Sequence, residues 1–149
     1  MVTHTPILLV DDDPADAMMV KRAFEYLNLK NPLVHVTNGI EGLEYLKSSD
    51  HEKPCIILLD SNMPKMNGIE FLKIAKSDDS IKKIPIIALT TSDDRQHINE
   101  SFMLGIAGYF IKPVRYEEFV EAIRTLYSYW TLSELPSETA KPQNFAKNY

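Results

Sequence analysis

The residues of this chain with the means to do chemistry stand directly after runs of aliphatic side chains. Cys55-Ile-Ile-Leu-Leu-Asp60 puts a carboxylate at the end of four large apolar residues, and Ser61-Asn62-Met63-Pro64 follows at once. Ile7-Leu-Leu-Val10 ends in the same way, on Asp11, Asp12 and Asp13. Ile84-Pro-Ile-Ile-Ala-Leu89 runs into Thr90-Thr91-Ser92, and Gly108-Tyr-Phe-Ile111 into Lys112-Pro113. Carboxylates gathered in one pocket resist ionising together unless a divalent cation holds them. Mg2+ suits such a set: it is hard, prefers oxygen, and works with one or two carboxylates plus a phosphoryl group. Lys112 adds a positive point charge and Thr90 a neutral hydroxyl. Together they would seat a dianionic group on Asp60, because a carboxylate can act as a nucleophile and form an aspartyl-phosphate. Aspartate at a strand exit is also an ordinary turn former, so everything depends on whether these four exits meet.

The intervening segments predict that they do. Asp13 before Pro14 reads as an N-cap with proline at the first helical position, and Val20, Ala23, Phe24 and Leu27 then recur at helical spacing up to Asn28. Pro32-Leu-Val-His-Val36 reads as a second strand, Asn38-Gly39 as a turn, and Ile40, Leu43 and Leu46 as a short helix weakened by Gly42. Asn67-Gly68 marks a loop, after which Ile69, Phe71, Leu72 and Ala75 predict a helix ending near Ser77-Asp78-Asp79. Ile98, Phe102 and Met103 mark the apolar face of another, closed by Gly105, and Phe119, Ala122, Ile123 and Leu126 a last one reaching about Trp130. Five strands alternating with five helices give right-handed βαβ units and a parallel sheet. The expected fold is α/β, a flavodoxin-like (βα)5 doubly wound sheet of order 2-1-3-4-5. Its switch point between the first and third strands would set Asp11 and Asp12 beside Asp60.

Bulk properties narrow the function. The 149 residues suit one domain, 44% hydrophobic and 25% charged, with no apolar run of membrane-spanning length. A short lead of six residues before the first apolar run argues against a signal peptide, and a cytoplasmic location is expected. The net charge of −5, without a basic cluster, argues against direct nucleic-acid binding. Cys55, the sole cysteine, opens a buried strand and reads as core packing. His4, His35, His51 and His97 are scattered without metal-ligand spacing and read as surface or packing residues.

Leu8-Leu-Val-Asp-Asp12, Leu58-Leu-Asp-Ser-Asn-Met-Pro64, Ala88-Leu-Thr-Thr91 and Gly108-Tyr-Phe-Ile-Lys-Pro113, taken together and in order, resemble the receiver domain of two-component response regulators. The resemblance covers about residues 5–130, with 131–149 left as a C-terminal tail without its own domain. It implies a signalling receiver, not a conventional enzyme, that catalyses its own phosphoryl transfer and dephosphorylation. Asp60 would accept a phosphoryl group from a phosphohistidine on a sensor histidine kinase. Asp12, Asp60 and the Asn62 carbonyl would bind Mg2+, with Asp11 reaching it directly or through water, and Lys112 would pair with a phosphoryl oxygen from a cis Lys112-Pro113 bond. Thr90 would hydrogen-bond the phosphoryl group and, with Tyr109, carry the switch. The responding surface would be the fourth helix, last strand and last helix, roughly Asp94 to Trp130, where Tyr127 and Tyr129 read as exposed. The helix ending in Tyr129-Trp130 with a nearby Leu-Pro resembles the single-domain regulators paired with bacterial phytochrome-type kinases. That subgroup implies a kinase of that type as partner and homodimers as an assembly.

Departures from the family pattern bear on lifetime. Thr91 stands where a small residue is usual, and neither Asn62 nor Ser92, which would flank the attacking water, is acidic. Two rival readings fit less well. A phosphatase of the haloacid dehalogenase type needs a second acid where Asn62 stands. A flavin-binding module needs a phosphate loop where Asp11-Asp12-Asp13 would repel one.

Overall fold

The computed structural model describes residues 4–61, 63 and 65–136. Five strands, β1 (Ile7–Val10), β2 (Leu33–Val36), β3 (Ile56–Leu59), β4 (Ile86–Thr90) and β5 (Gly108–Ile111), form one parallel sheet of order β2-β1-β3-β4-β5. They alternate with α1 (Pro14–Tyr26), α2 (Gly39–Lys47), α3 (Gly68–Ser77), α4 (Arg95–Met103) and α5 (Tyr116–Leu132). The topology and the exits of the strands are those the sequence predicts.

The runs of consecutive aliphatics exist because the sheet is covered on both faces. Side chains alternate across a strand, so Leu8, Val10, Ile57, Leu59, Ile86 and Ala88 join one core with Leu43, Leu46, Phe71 and Leu72 of α2 and α3. Ile7, Leu9, Ile56, Leu58, Ile87 and Leu89 join the other, with Val20 and Ala23 of α1 and Phe119 and Ile123 of α5. The outer strands β2 and β5 are only partly buried. Cys55 sits just ahead of β3, half-buried, its thiol pushed up to about 11 by burial, in keeping with packing and against reactivity.

Local chemistry sets the helix ends. Asp13 caps α1 by accepting from the Ala15 N–H at 2.9 Å, with Pro14 in the first turn as expected. Asn67 and Glu70 form a reciprocal capping box at α3. Asn28, at φ 55°, and Gly105, at φ 94°, close α1 and α4 in the left-handed conformation.

Several expectations need correction. Asn38-Gly39 is not a turn: Asn38 caps α2 by accepting from the Glu41 N–H, and Gly39 is already helical. Gly42 does not weaken that helix so much as bring it close, since a Cβ there would lie 3.1 Å from the Phe71 ring. In α4, Phe102 and Met103 are exposed and Ile98 and Ser101 face inward, because a short helix beside α3 buries a narrower stripe than the periodicity suggests. Tyr127 is half-buried, its hydroxyl donating to Asn31 Oδ1 at 2.7 Å, whereas Tyr129 is exposed and edge-on to Trp130. Of the tail, residues 137–149 lie outside those described. Among the described residues no helix is long and apolar enough to cross a membrane.

One contact bears directly on the site. Gly68 opens α3 with its Cα pressed on the chain leaving β3: a Cβ there would meet Ser61 Cα at 2.8 Å and the Asp60 carbonyl oxygen at 3.1 Å. Both are backbone atoms and cannot swing aside. Gly68→Ala should therefore cost about 1–3 kcal/mol, the range of an overpacked core. An unchanged midpoint in urea would show that the approach is looser than this.

Candidate functional site

The site forms where β1 and β3 lie side by side. Val10 is in register with Leu59, so the residues leaving both strands emerge together. The Asp60 N–H donates to the Val10 carbonyl at 2.9 Å, locking the third exit to the first. Asp11, Asp12 and Asp60 each bring a carboxylate oxygen within 4.8 Å of the others. Asp11 is 0% exposed and Asp60 7%, with Asp12 half-buried. Three acids this close and this buried repel one another, and hard oxygen donors of this kind fit Mg2+. Asn62, whose carbonyl is expected to join this set, lies outside the described residues.

The fourth and fifth exits supply the remaining groups. The Lys112 N–H donates to the Thr90 carbonyl at 2.7 Å, so the two residues leave β4 and β5 as a pair. Lys112 Nζ reaches across the sheet end to Asp11 Oδ2 and Asp16 Oδ2, 3.0 Å from each. Burial alone would lower the lysine pKa. The Asp11 charge and the hydrogen bonds that Lys112 donates to Asp11 and Asp16 override it, and the ammonium titrates above its ordinary value. The Lys112-Pro113 bond is trans: among the described residues there is no cis peptide. The ammonium already reaches Asp11 from the trans form, the isomer an X–Pro bond ordinarily favours by about 0.5–1 kcal/mol.

Thr90 is fully buried, with Oγ1 2.8 Å from Ser61 Oγ and accepting from the Ser92 N–H at 3.3 Å. Tyr109 is half-buried against the core on the α2 and α3 side, its hydroxyl donating to the Ser92 carbonyl at 2.9 Å and its ring edge-on to His97. Thr90 and Tyr109 thus hold the same residue, Ser92, from two sides. Thr91 is exposed and lines a cleft of about 190 Å³ with Asp16, Met19, Lys112, Pro113, Val114 and Phe119.

Three neighbours of the site escape a reading of the sequence. Asp16 looks like an ordinary acid in the first turn of a helix. Helical side chains lean toward the N-terminus, and here that direction leads back to the strand end and Lys112. Ser61 resembles a loop serine but is 4% exposed. His35, read as a packing residue, has Nε2 2.7 Å from the Asp11 carbonyl oxygen. A carbonyl only accepts, so that nitrogen carries a proton and donates.

Comparison with known proteins points one way. The family described as "Response regulator receiver domain" matches residues 7–124. The "Probable methanogenesis regulatory protein FilR2" of Methanothrix harundinacea is 32% identical over 127 residues, covering 83% of this chain and 82% of that protein. The crystal structure of the phosphorylated cyanobacterial phytochrome response regulator RcpA superimposes with a TM-score of 0.84 at 31% identity, covering 90% of this chain and 99% of that one. The Mn2+-bound form of response regulator Rcp1 superimposes with a TM-score of 0.82 at 28% identity, covering 89% and 99%. Rcp1 itself comes from Synechocystis.

Proposed function

The chain belongs to the response regulator receiver domain family, and on that premise we propose that Asp60 is the phosphoacceptor of a two-component signalling step. The observation that carries this reading is the convergence of four strand exits on one pocket, with the carboxylates of Asp11 and Asp12 beside that of Asp60 and a buried ammonium on Asp11. Asp11, Asp12 and Asp60 would hold Mg2+, as would the Asn62 carbonyl on the family pattern. When bound, the ion would neutralise charge that develops on the transferring phosphoryl group.

The chain's own residues do the rest by position. Asp60 is presented on rigid strand-end backbone, which favours attack at a fixed geometry. Lys112 Nζ has three protons. Asp11 and Asp16 each accept one, and the third is left for a phosphoryl oxygen. Thr90 offers its hydroxyl to the same group. Because Thr90 and Tyr109 both bond to Ser92, a shift of Thr90 toward a phosphoryl group would be felt at Tyr109 and at the start of α4. Only contacts that differ between the two states can move the equilibrium, and these are such contacts.

The likeness to RcpA and Rcp1 favours a phytochrome-type histidine kinase as phosphodonor. It also favours α4, β5 and α5 as the surface through which phosphorylation controls partner binding or homodimerisation. Residues 5–130 would form the receiver unit, with 131–149 as an extension of it. Acetyl phosphate with Mg2+ should add the mass of one phosphoryl group, read by intact-mass spectrometry. A protein that binds Mg2+ but never gains that mass would defeat the proposal.

A further inference from the structure

Immediately after Asp60 the chain buries a hydroxyl. Ser61 is 4% exposed, and its Oγ lies 2.8 Å from Oγ1 of Thr90, which is 0% exposed and 29 residues further along the chain. Ser61 is held in place from behind: its carbonyl accepts from the Gly68 N–H at 3.1 Å, and the missing Cβ of Gly68 lets α3 sit directly on it. Thr90 Oγ1 also accepts from the Ser92 N–H.

The valences of Thr90 limit what this pair can do. A hydroxyl has one proton and two acceptor sites. Ser92 occupies one acceptor site. If Ser61 donates, the second is filled and the threonine proton has to serve a third group. If Thr90 donates instead, its proton is spent on Ser61. The two arrangements exchange by rotating O–H bonds, without moving a heavy atom. An acceptor arriving on Asp60 selects the first, because only then is the Thr90 proton available.

We propose that Ser61 is a positioning residue for Thr90, donating into Oγ1 so that the threonine's single proton is turned toward the phosphoryl group on Asp60. This rests on Asp60 being the phosphoacceptor. The competing role is a plain hydrogen bond tying the exits of β3 and β4, which would stabilise the fold without favouring any bound group.

Titration calorimetry of the whole chain with Mg2+ and beryllofluoride, a phosphoryl mimic, separates these roles. Ser61→Ala should weaken beryllofluoride binding about fivefold, because Thr90, no longer held by Ser61, must then be ordered on binding, at about 1 kcal/mol for one side chain. Affinity for Mg2+ alone should stay within about twofold, since no carboxylate has changed. Combined with Thr90→Ala, the same substitution should cause no further loss, because residues acting through one another are not additive. Ser61→Cys, which keeps the shape but is a weak donor, should fall between wild type and Ser61→Ala and guards against loss of folding in the alanine variant.

Equal or tighter beryllofluoride binding by Ser61→Ala would overturn the inference, as would a full additional loss in the Thr90→Ala background. Wild-type protein that binds Mg2+ but no beryllofluoride would remove the Asp60 assignment and this inference with it. Wild-type binding with an indifferent Ser61→Ala would remove this inference alone.

Discussion

Asp60→Asn should gain no phosphoryl mass from acetyl phosphate under conditions where wild-type protein is labelled. The loss should be complete, because buried Asp11 beside it is a poor substitute. Both oxygens of Asp11 already accept hydrogen bonds, Oδ1 from the Asp13 N–H at 2.9 Å and Oδ2 from Lys112 at 3.0 Å. A carboxylate so engaged is a weak nucleophile. Asparagine keeps the shape of the aspartate and removes one of three crowded negative charges, so the variant should be at least as stable as wild type without metal. It should also bind Mg2+ more weakly. Intact-mass spectra beside thermal unfolding curves test both halves. A labelled and correctly folded Asp60→Asn protein would mean that the acceptor is another residue.

Lys112→Met should be the most destabilising change at the site, and Mg2+ should reverse part of the damage. Lys112 and Asp11 are 7% and 0% exposed at their side chains, so removing the ammonium leaves a buried carboxylate with two acidic neighbours and, among the described residues, no other ion-pair partner. Breaking one side of a buried pair typically costs about 3–5 kcal/mol, against a total stability of about 5–15 kcal/mol. The bond to Asp16, whose side chain is 30% exposed, adds little. A metal at 100 times its dissociation constant returns about 2.7 kcal/mol by mass action. With the lysine gone the acids should hold that metal more tightly. Urea titrations of both proteins with and without Mg2+ measure this directly. Equal midpoints without metal, or equal gains with it, would contradict the electrostatic account. At neutral pH the pair is fully formed. With a raised folded pKa, its contribution is complete below the unfolded lysine value of about 10.4 and fades only as pH climbs through the folded one.

Much of this arrangement is readable in the chain because two simple rules govern it. Strands covered on both faces must be continuously aliphatic, so Ile7–Val10 and Ile56–Leu59 announce themselves, and the polar residue that ends each run is left at the rim of the sheet. Topology then brings together exits that are far apart in sequence. What stays hidden is direction. Asp16 and Ser61 have the composition of a helix start and a loop, and only coordinates reveal that one carboxylate turns back on Lys112 and the other residue is buried against Thr90. The same limit explains α4, where periodicity marks Phe102 and Met103 as inward but the packing of a short helix leaves them in solvent.

The bond from Lys112 to Asp11 joins residues 101 positions apart, whereas β1 and β3 pair within the first 59 residues. A chain cut before β5 would keep the residues that pair β1 with β3 and gather the acids, but not the lysine that answers them. The final strand therefore acts as a keystone, relieving a repulsion that the earlier part of the chain has already built up.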